Sequence, residues 1–153
     1  MAASGCWNRL FVGSWQEIGA AVSWVKSVAT DLNLPDAKAY DMQVCVEELM
    51  TNIVRHGGTA SEGSTAAAGQ LEGANGPLQI SVTLDSREDG VHMISEDNGS
   101  PFDITAASHD VVHQTLDEIE IGGLGIGLIK SFSEHLHYDR TATGNRVSLQ
   151  FIV

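Results

Sequence analysis

The hydrophobic positions of this chain change period several times, and each change marks an element. Asn8 to Gly13 (NRLFVG) reads as a short first strand. Ser14-Trp15-Gln16-Glu17 has the Ser-x-x-Glu spacing of a capping box, so a helix is expected to open there. Ile18, Ala21, Val25, Val28, Ala29 and Leu32 then recur at the spacing of one buried helix face. Leu34-Pro35 stops that helix, because the residue before a proline is pushed out of the α region. Pro35 also suits the first turn of a second helix, where its missing N–H costs little. That helix is predicted over Asp36 to His56, with Val44, Cys45, Leu49, Met50 and Ile53 supplying apolar surface. Trp15 and Trp24 are expected to pack in the core or against a partner.

Gly57 to Pro77 is rich in Gly, Ala, Ser and Thr, the composition of a flexible loop, and a flexible insertion is expected near 58–77. Leu78 to Leu84 and Gly90 to Glu96 alternate apolar and polar residues on either side of Asp85–Asp89, which predicts a β-hairpin. Asp103 to Ile121 has weak periodicity and several acidic residues, and is expected to form a mobile lid over a ligand. The run Gly122-Gly123-Leu124-Gly125-Ile126-Gly127-Leu128-Ile129-Lys130 opens a third amphipathic helix, whose buried face is read as Leu124, Ile126, Leu128, Ile129, Phe132 and Leu136. Tyr138 to Ala142 and Arg146 to Val153 read as a closing strand pair around Thr143-Gly144-Asn145. No internal repeat is visible.

Composition narrows the classes. A chain of 153 residues fits one domain of ordinary size, 1–153. Its formal charge of −12 repels nucleic acid and anionic membranes alike and favours a basic protein partner. Two cysteines, Cys6 and Cys45, are too few for a disulfide scaffold, and Cys45 falls in an apolar helical pattern where a free buried thiol is ordinary. With no leader-like start and no apolar run of about 18 residues, a soluble, cytoplasmic protein is expected.

Three constellations carry candidate chemistry. Glu48, Asn52 and His56 stand at i, i+4 and i+8, stacking a carboxylate, an amide and an imidazole on one helix face. The first two offer hard oxygen ligands of the kind Mg²⁺ takes beside phosphates and water; a solvated polar stripe is the alternative. Asp97-Asn98-Gly99-Ser100-Pro101-Phe102 sets a carboxylate at a strand end before a glycine turn, where ionised Asp could accept a hydrogen bond from an exocyclic base amine. The same tripeptide also makes a simple turn. The glycines of 122–127 open a helix whose free N–H groups and dipole suit a phosphate, or serve tight packing alone. His109 and His113 stand at i, i+4, but without a third ligand at suitable spacing a zinc site is not expected.

Taken together, Glu48-x-x-x-Asn52, Asp97-x-Gly99-x-Pro101-Phe102 and Gly123-x-Gly125-x-Gly127, in that order, resemble the Bergerat-fold (GHKL) ATP-binding superfamily. The spelling of 46–57 and 122–130 is most similar to the small anti-sigma-factor serine/threonine kinases. The resemblance covers nearly the whole chain and implies an α/β (α+β) two-layer sandwich, with helices on one face of a mixed, largely antiparallel sheet. It implies ATP and Mg²⁺ as ligands, with Asn52 on the metal and Asp97 receiving the adenine amino group. Gly99, Phe102, Gly123, Leu124, Gly125, Ile126 and Gly127 complete the implied nucleotide-binding set, and Glu48 matches the catalytic carboxylate. Arg55 and His56 are candidates for phosphate or partner contacts. Two features depart from the pattern: the insertion is longer than a compact member needs, and the lid carries few basic residues.

The resemblance therefore implies a protein kinase that binds a sigma factor, phosphorylates a serine or threonine of an antagonist (anti-anti-sigma) protein and switches partners in transcription regulation. A homodimer is a further expectation from the family. At this size no helical hairpin bearing a phosphoacceptor histidine, no sensor and no transducer domain is expected, and a histidine kinase normally needs those. The alternative is a catalytically silent, nucleotide-regulated module that sequesters a regulatory protein.

Overall fold

The computed structural model describes residues 4–60, 71–106 and 123–153. Five strands, β1 (Gly5–Val12), β5 (Gln79–Arg87), β6 (Gly90–Asp97), β8 (Asn145–Phe151) and β7 (His135–Arg140), form a sheet in the order β1-β5-β6-β8-β7, and every pairing in it is antiparallel. Three helices, α1 (Trp15–Asp31), α2 (Asp36–His56) and α3 (Gly123–Phe132), make the second layer of an α/β sandwich.

Period-2 alternation fixes which strand residues face the helices. On β5, Ile80, Val82 and Leu84 are buried, while Gln79 between strand start and core is exposed. On β8, Val147, Leu149 and Phe151 point the same way. Leu49, Met50 and Val46 of α2 and Val25 and Val28 of α1 close over them. Each such side chain contributes roughly 1.5–3 kcal/mol on full burial, so a rotation of α2 that exposed this stripe is strongly disfavoured. That constraint is what aims the polar face of α2 at the far ends of the strands.

The boundaries differ from the sequence expectation in instructive ways. The first strand begins at Gly5, earlier than Asn8, because pairing with β5 continues from Val12↔Gln79 to Gly5↔Ser86. α1 opens at Trp15 as expected, but the Ser14 side chain makes no capping bond, so the capping box is not formed. Its end is set by Asn33, at φ 53°, with the Leu34 N–H donating to the Ala29 carbonyl. Asn tolerates this left-handed geometry. The hairpin strands run further than predicted, so that Asp85, Ser86 and Arg87 belong to β5.

Within the expected flexible insertion, Thr59–Ala60, Leu71–Gly73 and Gly76–Pro77 form β2, β3 and β4 of a small separate antiparallel sheet. The rest of it, 61–70, lies outside the described residues, as do 107–122 with the expected lid and His109 and His113. Trp24 packs edge-on against Phe11, whereas Trp15 is 53% exposed.

The glycine run opens α3, and Gly123, Gly125 and Gly127 lie within the helix, which starts at Gly123. Leu128 is exposed, not buried, and Leu136 belongs to β7, where it packs on the core from the sheet side. Asn145, read as part of a turn, is the first residue of β8.

Candidate functional site

The candidate residues fall at two ends of one region, where α2 crosses the ends of β6 and β8. On α2 the core contacts of Leu49 and Ile53 leave Glu48 and Asn52 turned to the same side, one turn apart. Asn52 is 3% exposed, and its Nδ2 has no hydrogen-bond partner among the described residues. This is not a solvated stripe. A buried, unpaired amide costs free energy unless a ligand satisfies it.

Glu48 is half-buried, and its carboxylate lies directly against α3. A Cβ on Gly125 would collide with Glu48 Oε2, so the absence of a side chain at 125 is what leaves the Glu48 carboxylate its place against α3. Burial pushes the Glu48 carboxyl up from its ordinary value; Glu47 beside it adds to this, while the Arg55 guanidinium pulls it down. Cys45, three residues before, is pushed up to about 12 by burial and by the carboxylates of Asp41, Glu48 and Glu134, so it is a neutral core thiol and no nucleophile.

At the other end Asp97 closes β6, buried. The Gly99 N–H (2.8 Å) and Asn145 Nδ2 (3.0 Å) both donate to its Oδ1, so Oδ2 is the oxygen left for a ligand's donor. Burial raises the Asp97 carboxyl, against the lowering effects of the Asn145 and Gly99 bonds and of the Arg140 charge; the net direction is up. The following loop is tied down as well. The Ser100 N–H donates to the Gly57 carbonyl (2.8 Å), and Arg140 Nη1 donates to the Gly99 carbonyl (2.8 Å). Asn98 accepts from the Gln79 N–H and donates to the Pro77 carbonyl, which makes it a structural clasp on the opposite side.

Between the two ends Leu49, Asn52, Ile53, Asp97, Phe102 and Asn145 line a narrow cavity of about 10 Å³, room for about one water molecule. Its outer wall is Phe102, stacked on His56 at 4.2 Å and 11°, with buried Ile104 beside it. Phe102 and Ile104 both lie on the irregular segment 101–106.

The structure thus brings Asn52, Asp97 and Phe102 to one cavity and Glu48 to Gly125. It separates others: Ile126 is buried in the core, and Gly127 faces open space. His56 sits at the exposed rim, and the side chain of Leu124 lies outside the described residues. Asn145, Tyr138 and Arg140 were not singled out by sequence reasoning. The one available signal was the Gly144-Asn145 pair, whose close approach to Asp97 leaves no space for a Cβ at Gly144.

An antiparallel sheet backed by three helices, with a buried strand-end carboxylate facing an acidic-and-amide helix face, defines a nucleotide-binding α/β sandwich. Residues 14–151 match the histidine kinase-like ATPase domain, and the chain belongs to that family. It is also 26% identical over 129 residues, 84% of this chain and 81% of the relative, to the serine/threonine-protein kinase BtrW of Bordetella bronchiseptica. An ATP-binding, kinase-like role follows at that level. Among the described residues no helix is long and apolar enough to cross a membrane.

Proposed function

We propose that this chain is an anti-sigma-factor-like serine/threonine protein kinase that phosphorylates a protein antagonist and so switches partners in transcription regulation. The observation that supports it most is the meeting of Glu48 with Gly125: a half-buried carboxylate of raised pKa, one turn from an unpaired buried Asn52 amide, at the start of a helix. The donor set fits the implied ligands. Asp97 Oδ2 is an acceptor for the adenine amine, with Gly99 and Phe102 beside it. Asn52 fits Mg²⁺, since an amide's oxygen and nitrogen exchange places on a simple flip and the orphaned position can be the oxygen.

When bound, Mg²⁺-ATP supplies the transferable phosphoryl group and the positive charge that neutralises its oxygens. Glu48 accepts the proton of the attacking serine hydroxyl at its carboxylate, a task for which a raised pKa is an advantage. Gly125 leaves that carboxylate its room, and Gly123, Leu124 and Gly127 are taken, in this reading, to serve the phosphate from the start of the same helix. Arg55, already close enough to lower Glu48, and His56 at the rim are set for phosphate or partner contacts. The charge of −12 suits a basic sigma-factor surface, and a homodimer is part of the same reading.

The test is capture of partners from the native cytoplasm with and without Mg²⁺-ATP, followed by transfer of labelled γ-phosphate. A captured protein labelled on serine or threonine, with labelling lost in Glu48→Ala, is the expected result. ATP binding without any transfer, and Glu48→Ala identical to wild type, would make the chain a nucleotide-regulated sequestering module instead.

A further inference from the structure

Asp97, Asn145 and Arg140 are paired side by side across three neighbouring strands, in one row on the helix-facing side of the sheet. Asn145, 4% exposed, is the middle of that row and is bonded on both sides of its amide. Its Oδ1 accepts from the Phe102 N–H (3.2 Å), from the Tyr138 hydroxyl and from Arg140 Nη1 (3.4 Å). Its Nδ2 donates to Asp97 Oδ1 (3.0 Å) and to the Ser100 carbonyl (2.8 Å).

The chemistry of these partners leaves only one orientation for the amide. The backbone N–H and the guanidinium can only donate, and they need the oxygen; a carboxylate and a carbonyl can only accept, and they need the NH₂. A flipped amide would set donors against donors and acceptors against acceptors. With Nδ2 fixed, Asp97 Oδ1 is held between two anchored donors, Asn145 and the Gly99 N–H. The carboxylate plane is then set, and Oδ2 alone is available to a base.

We propose that Asn145, locked by Tyr138 and Arg140, is a positioning residue that fixes the Asp97 carboxylate, so that the β7–β8 hairpin selects a 6-amino purine over a 6-oxo purine. This rests on the nucleotide reading given above. A 6-amino group donates to Oδ2, whereas a 6-oxo group sets an acceptor against it and leaves both unpaired, which a buried site penalises. Freed from the lock, the carboxylate can turn, and the contrast between the two bases shrinks.

The experiment is calorimetric titration of the full chain with Mg²⁺-ATP and Mg²⁺-ITP, for wild type, Asn145→Leu, Arg140→Met and Arg140→Lys, with thermal denaturation run alongside. Wild type is expected to prefer ATP. Asn145→Leu and Arg140→Met should weaken ATP roughly tenfold as the hold on the Asp97 carboxylate is lost, while ITP changes little and the preference collapses. Arg140→Lys, which keeps the charge and a donor, should restore most of it. If Asn145→Leu fails to fold, Arg140→Met at its exposed position carries the test. An ATP-to-ITP ratio unchanged in a folded variant, or an equal loss for both nucleotides, would reduce the hairpin to a structural support and overturn the proposal. A wild-type chain that binds neither nucleotide would instead overturn the nucleotide reading, and this inference with it.

Discussion

The two ends of the candidate site differ in how completely their polar groups are paired. At the Asp97 end, Asn145 alone makes five hydrogen-bond contacts, and the carboxylate, the loop after it and the hairpin beside it are joined in one network. At the Glu48 end, Asn52 Nδ2 has no partner among the described residues, and Glu48 is shaped more by what it must avoid, at Gly125, than by what it bonds. A satisfied buried network is rigid and specifies one geometry; an unsatisfied one holds free energy that a ligand can release. In the proposed function the first end recognises the base, and the second receives charge and acts on it.

That division is broken most severely by Glu48→Gln. If the α2 end acts, labelled-phosphate transfer should fall by about 10²–10⁴-fold, the usual worth of a general base, while ATP affinity stays within a few-fold in calorimetry. Asp97→Asn should do the reverse: ATP affinity weakens by about 1–3 kcal/mol, and transfer at saturating ATP persists. Gly125→Ala sharpens the contrast further. The new methyl displaces the far end of the Glu48 side chain, so transfer should drop roughly tenfold through misplacement. Thermal stability should hold or rise, since alanine is favoured over glycine in a helix by roughly 0.5–1 kcal/mol.

Acidity gives a smaller, two-signed effect. The folded Asp97 and Glu48 pKa values lie above their unfolded ones, so each ionised group opposes folding. That penalty is absent below the ordinary carboxylate range and complete above the raised values. Within this window, denaturant midpoints should gain on acidification from these two groups, while ATP affinity falls as Asp97 Oδ2 protonates. Asp97→Asn should remove the second trend in a pH series of nucleotide titrations. The smallest effect is expected from Ser14→Ala: with no capping bond to lose, the change in stability should stay within about 0.5 kcal/mol by urea denaturation.

The legible parts of the molecule were those written in local pattern. α2 was bounded correctly from Asp36 to His56 because Pro35 and a long apolar stripe both mark it, and the alternation around Gly90 gave the central hairpin. The order of Glu48, Asn52, Asp97 and the glycines carried the family. The glycines are weak helix formers, and tertiary packing holds 123–127 helical, as the apolar positions after them indicate. Ser14 misleads: a capping box is a local promise, and its bond is not made. Asn145 was hidden for a different reason. Its meaning comes from Asp97, 48 positions away, and from Arg140 across a turn, and only strand register makes them neighbours.

The measurement that tests the division most directly is paired nucleotide calorimetry and labelled-phosphate transfer on Asp97→Asn and Glu48→Gln under the same conditions. The predicted result is a double dissociation: Asp97→Asn loses binding and keeps transfer at saturation, and Glu48→Gln keeps binding and loses transfer. Equal loss of both activities in both variants, or transfer by Glu48→Gln at the wild-type rate, would contradict it.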